Sequence, residues 1–87
     1  MANIKSAMKR AEITRIRTRR NAAYKSMMKT AIRRFETALK DGDMAKAREE
    51  LTKAISTIDK IQSKGVIHKN TASRIKSRLT KALNKAS

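Results

Sequence analysis

The sequence contains no cysteine, no proline and no tryptophan, and glycine occurs only twice. Without cysteine there is neither a disulfide framework nor a thiolate metal centre. Without proline there is no Pro-rich linker. Two glycines, Gly42 and Gly65, are far apart and cannot form a Gly-rich loop that cradles a dinucleotide. Tyr24 and Phe35 are the only aromatics, too few for the stacking platform of a single-strand binder. His68 is the only histidine, so multi-histidine metal sites are excluded. Asp41-Gly42-Asp43 opens like a calcium loop but lacks the rest of that pattern. Glu49 and Glu50 are sequence neighbours and so do not sit side by side on a helix. No enzyme activity, metal, cofactor or small-molecule substrate is therefore expected. Apolar runs stop at two or three residues, against about 20 for a membrane span. The N-terminus MANIKSAMKR has no apolar core of a secretory signal. We expect a mature cytoplasmic chain with no membrane partner.

Acid is the last scarcity. Asp and Glu total 7 against 23 Lys and Arg, a formal charge of +16 over 87 residues. A charge of this size bears on partners rather than on fold. The length fits one domain, 1–87, with a thin core.

Between the glycines the residues are strong helix formers. Glycine just past a helical run accepts the left-handed conformation that ends a helix. The sequence therefore predicts helices near 4–40, 44–63 and 68–84. Asp43 is placed to cap the second. The third is capped by Asn70 or starts nearer His68. Apolar residues recur at steps of three and four: Tyr24, Met28, Ala31, Ile32, Phe35, Ala38 and Leu39 in the first helix. Met44, Ala47, Leu51, Ala54, Ile55, Ile58 and Ile61 do so in the second, and Ala72, Ile75, Leu79, Ala82 and Leu83 in the third. Short connections make neighbours antiparallel. The fold class is all-α, a three-helix bundle with an extended N-terminal helix.

That extension follows from length. At 1.5 Å per residue the first helix runs roughly 55 Å and the second roughly 30 Å. The uncovered half has only Ile4, Met8, Ala11, Ile13 and Ile16 scattered among charges. Charge is also partitioned. Residues 1–34 carry 11 basic and 1 acidic side chains, residues 35–63 carry 5 and 6, and residues 64–87 carry 7 and none. The second helix is thus an ordinary solvated amphipath, with Lys46–Glu50 and Glu49–Lys53 spaced for ion pairs. The cationic surface belongs to the other two.

On the first helix the cations point everywhere. With Lys5 at zero and about 100° per residue, Lys9 falls near 40°, Arg20 near 60°, Arg17 near 120° and Arg10 near 140°. Lys25 falls near 200°, Arg15 near 280° and Arg19 near 320° by the same rule. A membrane-surface helix needs one continuous apolar face, which is missing. A rod charged all round suits a crevice between phosphate-bearing elements. Its Arg-rich centre, Arg15, Arg17, Arg19 and Arg20, can fork onto phosphate oxygens. Such a surface reads backbone and shape rather than base identity. A basic zipper is excluded because Gly42 stops the helix before the heptads such a dimer needs. A general basic, nucleoid-type DNA-binding protein is the alternative reading.

Three stretches resemble a known family. Residues 2–10, Ala-Asn-Ile-Lys-Ser-Ala-Met-Lys-Arg, are similar to the N-terminus of the twentieth protein of the bacterial small ribosomal subunit. Residues 20–30, Arg-Asn-Ala-Ala-Tyr-Lys-Ser-Met-Met-Lys-Thr, resemble its central first-helix segment. Residues 64–79, Lys-Gly-Val-Ile-His-Lys-Asn-Thr-Ala-Ser-Arg-Ile-Lys-Ser-Arg-Leu, resemble its C-terminal signature. The resemblance covers essentially the whole chain, in order. Ser73 stands where the family usually has Ala, and Ile75 where it often has a basic residue.

The resemblance implies a helical bundle that binds 16S ribosomal RNA directly and helps it fold during small-subunit assembly, beside other subunit proteins. By position, Asn3, Lys5, Ser6, Lys9, Arg10, Arg20, Asn21, Lys25, Ser26 and Lys29 would face RNA. So would Lys64, His68, Lys69, Asn70, Arg74, Lys76, Ser77 and Arg78. The residues also admit plainer roles. His68 can satisfy a backbone group at a helix start, Asn70 can serve only as a cap, and Ser6, Ser26 and Ser77 can bond their own helices. The five methionines fit core filling better than a binding groove.

Overall fold

The computed structural model describes residues 2–86, with side chains from residue 4 onward. It is all-α, with α1 at Ala2–Lys40, α2 at Met44–Ser63 and α3 at Lys69–Ala86. Both outer helices run slightly past the boundaries expected from sequence, as terminal turns need only backbone hydrogen bonds and not apolar partners.

Two glycine turns set the topology. Past α1, the Asp43 N–H donates to the Ala38 carbonyl at 3.2 Å and the Gly42 N–H to Leu39 at 3.1 Å. Past α2, Val66 donates to Ile61 at 3.3 Å and Gly65 to Gln62 at 2.9 Å. This pattern satisfies helix-end carbonyls and requires one left-handed residue. Gly42 and Gly65 supply it, at φ 78° and 76°. A Cβ at either position would meet no atom within 4 Å, so the demand for glycine comes from the backbone angle and not from crowding.

Caps start the next helices. The Asp43 carboxylate accepts the Lys46 N–H at 3.1 Å, as the sequence predicts for α2. For α3 the cap is His68: its Nδ1 accepts the Asn70 N–H at 3.0 Å while its carbonyl accepts the Ala72 N–H. Asn70 lies one step inside the helix.

The core is thin, as the size dictates. Phe35 and Ala38 of α1, Ala47, Leu51, Ala54 and Ile58 of α2, and Ala72, Leu79 and Leu83 of α3 form one buried cluster. Ile61 is also fully buried. Of the remaining stripe residues, Met28, Ala31, Ile32, Leu39, Met44, Ile55, Ile75 and Ala82 pack half-buried at the margin. Tyr24 is half-buried, where the bundle gives way to the arm. The helices are not equal partners. α2 packs against both others, whereas α3 scarcely touches α1. The Cα envelope measures 64 × 21 × 14 Å.

One expected ion pair does not form. Glu50 turns to Lys53 at 3.9 Å instead of to Lys46, and Lys53 also meets Glu49 at 3.3 Å. Lys53 lies one turn on from both acids, at i+4 from Glu49 and i+3 from Glu50, so it draws both. Another pair was not anticipated: Lys76 of α3 donates to Asp59 of α2 at 2.7 Å. This contact ties α3 to the helix that carries it.

Candidate nucleic-acid interface

Every side chain from residue 4 to residue 20 is exposed. Seven of these are basic and Glu12 is the only acid. The reason is visible in helical phase. The stripe that is Phe35, Met28 and Tyr24 within the bundle continues toward the N-terminus as Arg17, Ile13 and Arg10, at about the same angle. Cations there cannot be buried against a neighbouring helix without partners. The bundle therefore ends where its apolar seam turns cationic, and the arm projects alone. Ile4, Met8 and Ile16 are 59%, 68% and 60% exposed along it.

The structure sorts the candidate residues. Lys5, Ser6, Lys9, Arg10, Arg15, Arg17, Arg19 and Arg20 lie exposed on the arm. Asn3 lies outside the described side chains. Asn21 is half-buried at the root of the arm, Lys25 and Lys29 are exposed beyond it, and Ser26 is exposed at the edge of a groove between α1 and α2. Ser26 makes no bond to its own helix among the described residues, unlike Thr18, which donates to the Thr14 carbonyl at 2.9 Å.

The C-terminal candidates divide in two. With Arg74 at zero, Asn70, Ser77, Arg78, Lys81 and Lys85 fall within about 60° of it, whereas Ala72, Leu79 and Leu83 centre near 160°. α3 thus turns one cationic face outward as its apolar face packs on α2. Ser73, Arg74, Ser77, Arg78 and Lys81 line a shallow depression there, the short serines between the long cations. Lys76 lies off this face and is held by Asp59. Lys64 and Lys69 are exposed on either side of the α2–α3 turn. His68 is exposed as well, and its cap fixes which nitrogen faces out: Nδ1 is taken by Asn70, leaving Nε2 as the outward atom. Lys81, Lys85, Arg33 and Arg34 are exposed cations outside the candidate set. For Lys81 and Lys85 the available signal was the helical phase of Arg74 and Arg78.

Among the described residues, no three of His, Cys, Asp or Glu are grouped to hold a metal. No helix among the described residues is long and apolar enough to cross a membrane. What the surface can do is neutralise phosphates: a guanidinium forks onto two oxygens, and an ammonium acts as a point charge.

Fold and surface together define a class, a small all-α bundle with a free polycationic arm and a second cationic face. The profile of the ribosomal protein S20 family matches residues 2–84. The small ribosomal subunit protein bS20 of Pelotomaculum thermopropionicum is 61% identical over 85 residues, covering 98% of this chain and 97% of that one. Its counterpart in Natranaerobius thermophilus is 60% identical over 84 residues, covering 97% and 96%. That of Heliobacterium modesticaldum is 55% identical over 86 residues, covering 99% and 98%. The chain belongs to the ribosomal protein S20 family of the bacterial small subunit, whose role is structural and not enzymatic.

Proposed function

We propose that this protein binds 16S ribosomal RNA directly, through α1 and α3, and stabilises its fold as the small subunit assembles in the cytoplasm. The observation that carries this reading is the arm: an exposed helical segment with seven cations, one acid and no protein surface to cover it. A helix of this charge left alone repels itself. Phosphates remove that repulsion and release condensed counterions, which supplies affinity that falls with salt. Because the cations surround the arm, it suits RNA that approaches from several sides.

The bundle's part is to hold a second contact at fixed geometry. α2 packs against both α1 and α3 and carries three of the seven acids, Glu49, Glu50 and Asp59. It therefore separates two cationic surfaces, the arm with the outer side of α1 and the Arg74–Arg78–Lys81 face. Segments of RNA that meet both are held at the spacing set by the bundle. In this reading Lys76 serves the bundle and Lys81 joins the phosphate-binding set. Recognition rests on backbone and shape, since Phe35 is buried and a single half-buried Tyr24 makes no stacking platform.

Competition binding tests the proposal. Labelled protein at moderate salt is challenged with 16S ribosomal RNA and with duplex DNA of equal nucleotide concentration. The expected result is retention on ribosomal RNA, with a footprint at defined positions. Equal competition by DNA, with no discrete footprint, would support a general nucleoid role instead.

A further inference from the structure

One face of the arm does not end at the bundle. Lys5, Lys9, Ile16, Arg20, Ala23, Met27 and Arg34 all fall within about 60° of one another on α1. They form a stripe roughly 44 Å long at helical rise that carries both cations and apolar side chains, with Glu12 at its edge beside Lys9. Ile16 and Met27 are 60% and 45% exposed on it. Near the bundle the stripe runs into a groove of about 480 Å³ between α1 and α2. Ser26, Met27, Thr30 and Arg34 form one wall, and Lys53 and Thr57 of α2 form the other. Glu50 lies at its floor with its side chain 13% exposed, engaged by Lys53. Thr57 directs its hydroxyl proton to the Lys53 carbonyl at 3.0 Å, so its oxygen can act only as an acceptor.

We propose that this groove holds the ribose-phosphate backbone of an RNA strand that continues off the arm, so that α2 takes part in RNA binding. The proposal rests on the reading of the protein as an RNA binder and extends it to a helix that its charge balance alone would set aside. The occupant follows from chemistry. A ribose-phosphate chain presents anions beside less polar sugar faces, and the stripe presents Lys5, Lys9, Arg20 and Arg34 together with Ile16, Ala23 and Met27. A second copy of this chain would bring its own +16 charge against Arg20 and Arg34. A lipid surface needs a wide, unbroken apolar face, and cations interrupt this one. The Ser26 and Thr30 hydroxyls can donate to phosphate oxygens, and the Thr57 oxygen can accept from a ribose 2′-hydroxyl.

The absence of cysteine permits a direct test in the full-length chain. Thr57→Cys and, on the outer face of α2, Ser56→Cys are each coupled to a bulky maleimide. Affinity for 16S ribosomal RNA is then measured across salt concentrations, with circular dichroism as the folding control. The label at residue 57 should weaken binding by about tenfold, the loss of one or two good polar contacts, while the label at 56 has little effect. Met27→Ser, outside the core, should weaken binding without changing the salt slope, because it removes an apolar contact and no charge. The proposal is overturned if labelled Thr57→Cys, folded, binds RNA as unmodified protein does, or if Met27→Ser leaves affinity intact. It is equally overturned, in favour of a protein occupant, if labelled Thr57→Cys keeps its RNA affinity but is excluded from reconstituted subunits. Failure of the wild type to bind 16S ribosomal RNA would instead sink the parent reading.

Discussion

The two ends of α1 are one continuous helix made by two different physical routes. Residues 24–39 hold their form because Phe35 and Ala38 are buried against α2 and because Met28, Ala31, Ile32 and Leu39 pack beside them. Residues 4–20 share the helical backbone but bury nothing. Helices gain most of their stability from packing an apolar face, so the arm depends on propensity and on whatever neutralises its cations. The difference teaches that a helix drawn at one length is not of one stability.

Hydrogen exchange puts the largest number on that contrast. Amides of residues 5–20 in the free protein should open at a cost near zero, whereas those of Leu51 and Ile58 should open only with global unfolding, at about 4–13 kcal/mol for a chain of this size. Binding to ribosomal RNA should protect the arm. Full protection of residues 5–20 without RNA would erase the distinction between the two halves.

Core substitution comes next. Leu51→Ala should cost roughly 2–5 kcal/mol, because Leu51 is 8% exposed and its loss leaves a cavity that the thin core cannot refill. Thermal melting reads this loss directly. On the arm, Arg19→Ala with Arg20→Ala should leave the melting temperature unchanged. It should flatten the log–log salt dependence of RNA binding by up to about two units. If both variants lost binding only by unfolding, contact surface and core would not be separable.

The smaller effects concern α3. His68→Ala should remove a cap and cost about 0.5–2 kcal/mol, whereas His68→Asn should retain most of that stability, since Asn caps well. Unfolding titrations of the two variants make the comparison. Asp59→Asn should cost less than about 1 kcal/mol, because the pair with Lys76 is partly solvated.

Much of this was legible in the sequence because the signals were local. Gly42, Gly65 and Asp43 announce their turns and cap through backbone angles and hydrogen bonds spanning a few residues. The apolar stripes announce the core because burial follows helical period, and charge partition announces the arm. What stayed hidden depended on which helix meets which. Nothing in the spacing of Lys76 reveals that Asp59 lies across from it, 17 residues earlier. Glu50 had Lys46 and Lys53 both within reach along its own helix, and only the fold decides between them. The groove beneath Met27 exists only once α2 is laid alongside α1. For α3 the sequence left open a cap at Asn70 or a start nearer His68, and a single 3.0 Å hydrogen bond from the Asn70 N–H to His68 decides it.

The slender envelope has a practical consequence at the bench. A compact chain of this length would have a radius of gyration of about 12 Å, and this one has 17.6 Å. It will elute from a sizing column ahead of globular standards of equal mass and can be mistaken for a dimer. Sedimentation velocity, which resolves shape from mass, is the measurement that assigns the early peak to a lone rod.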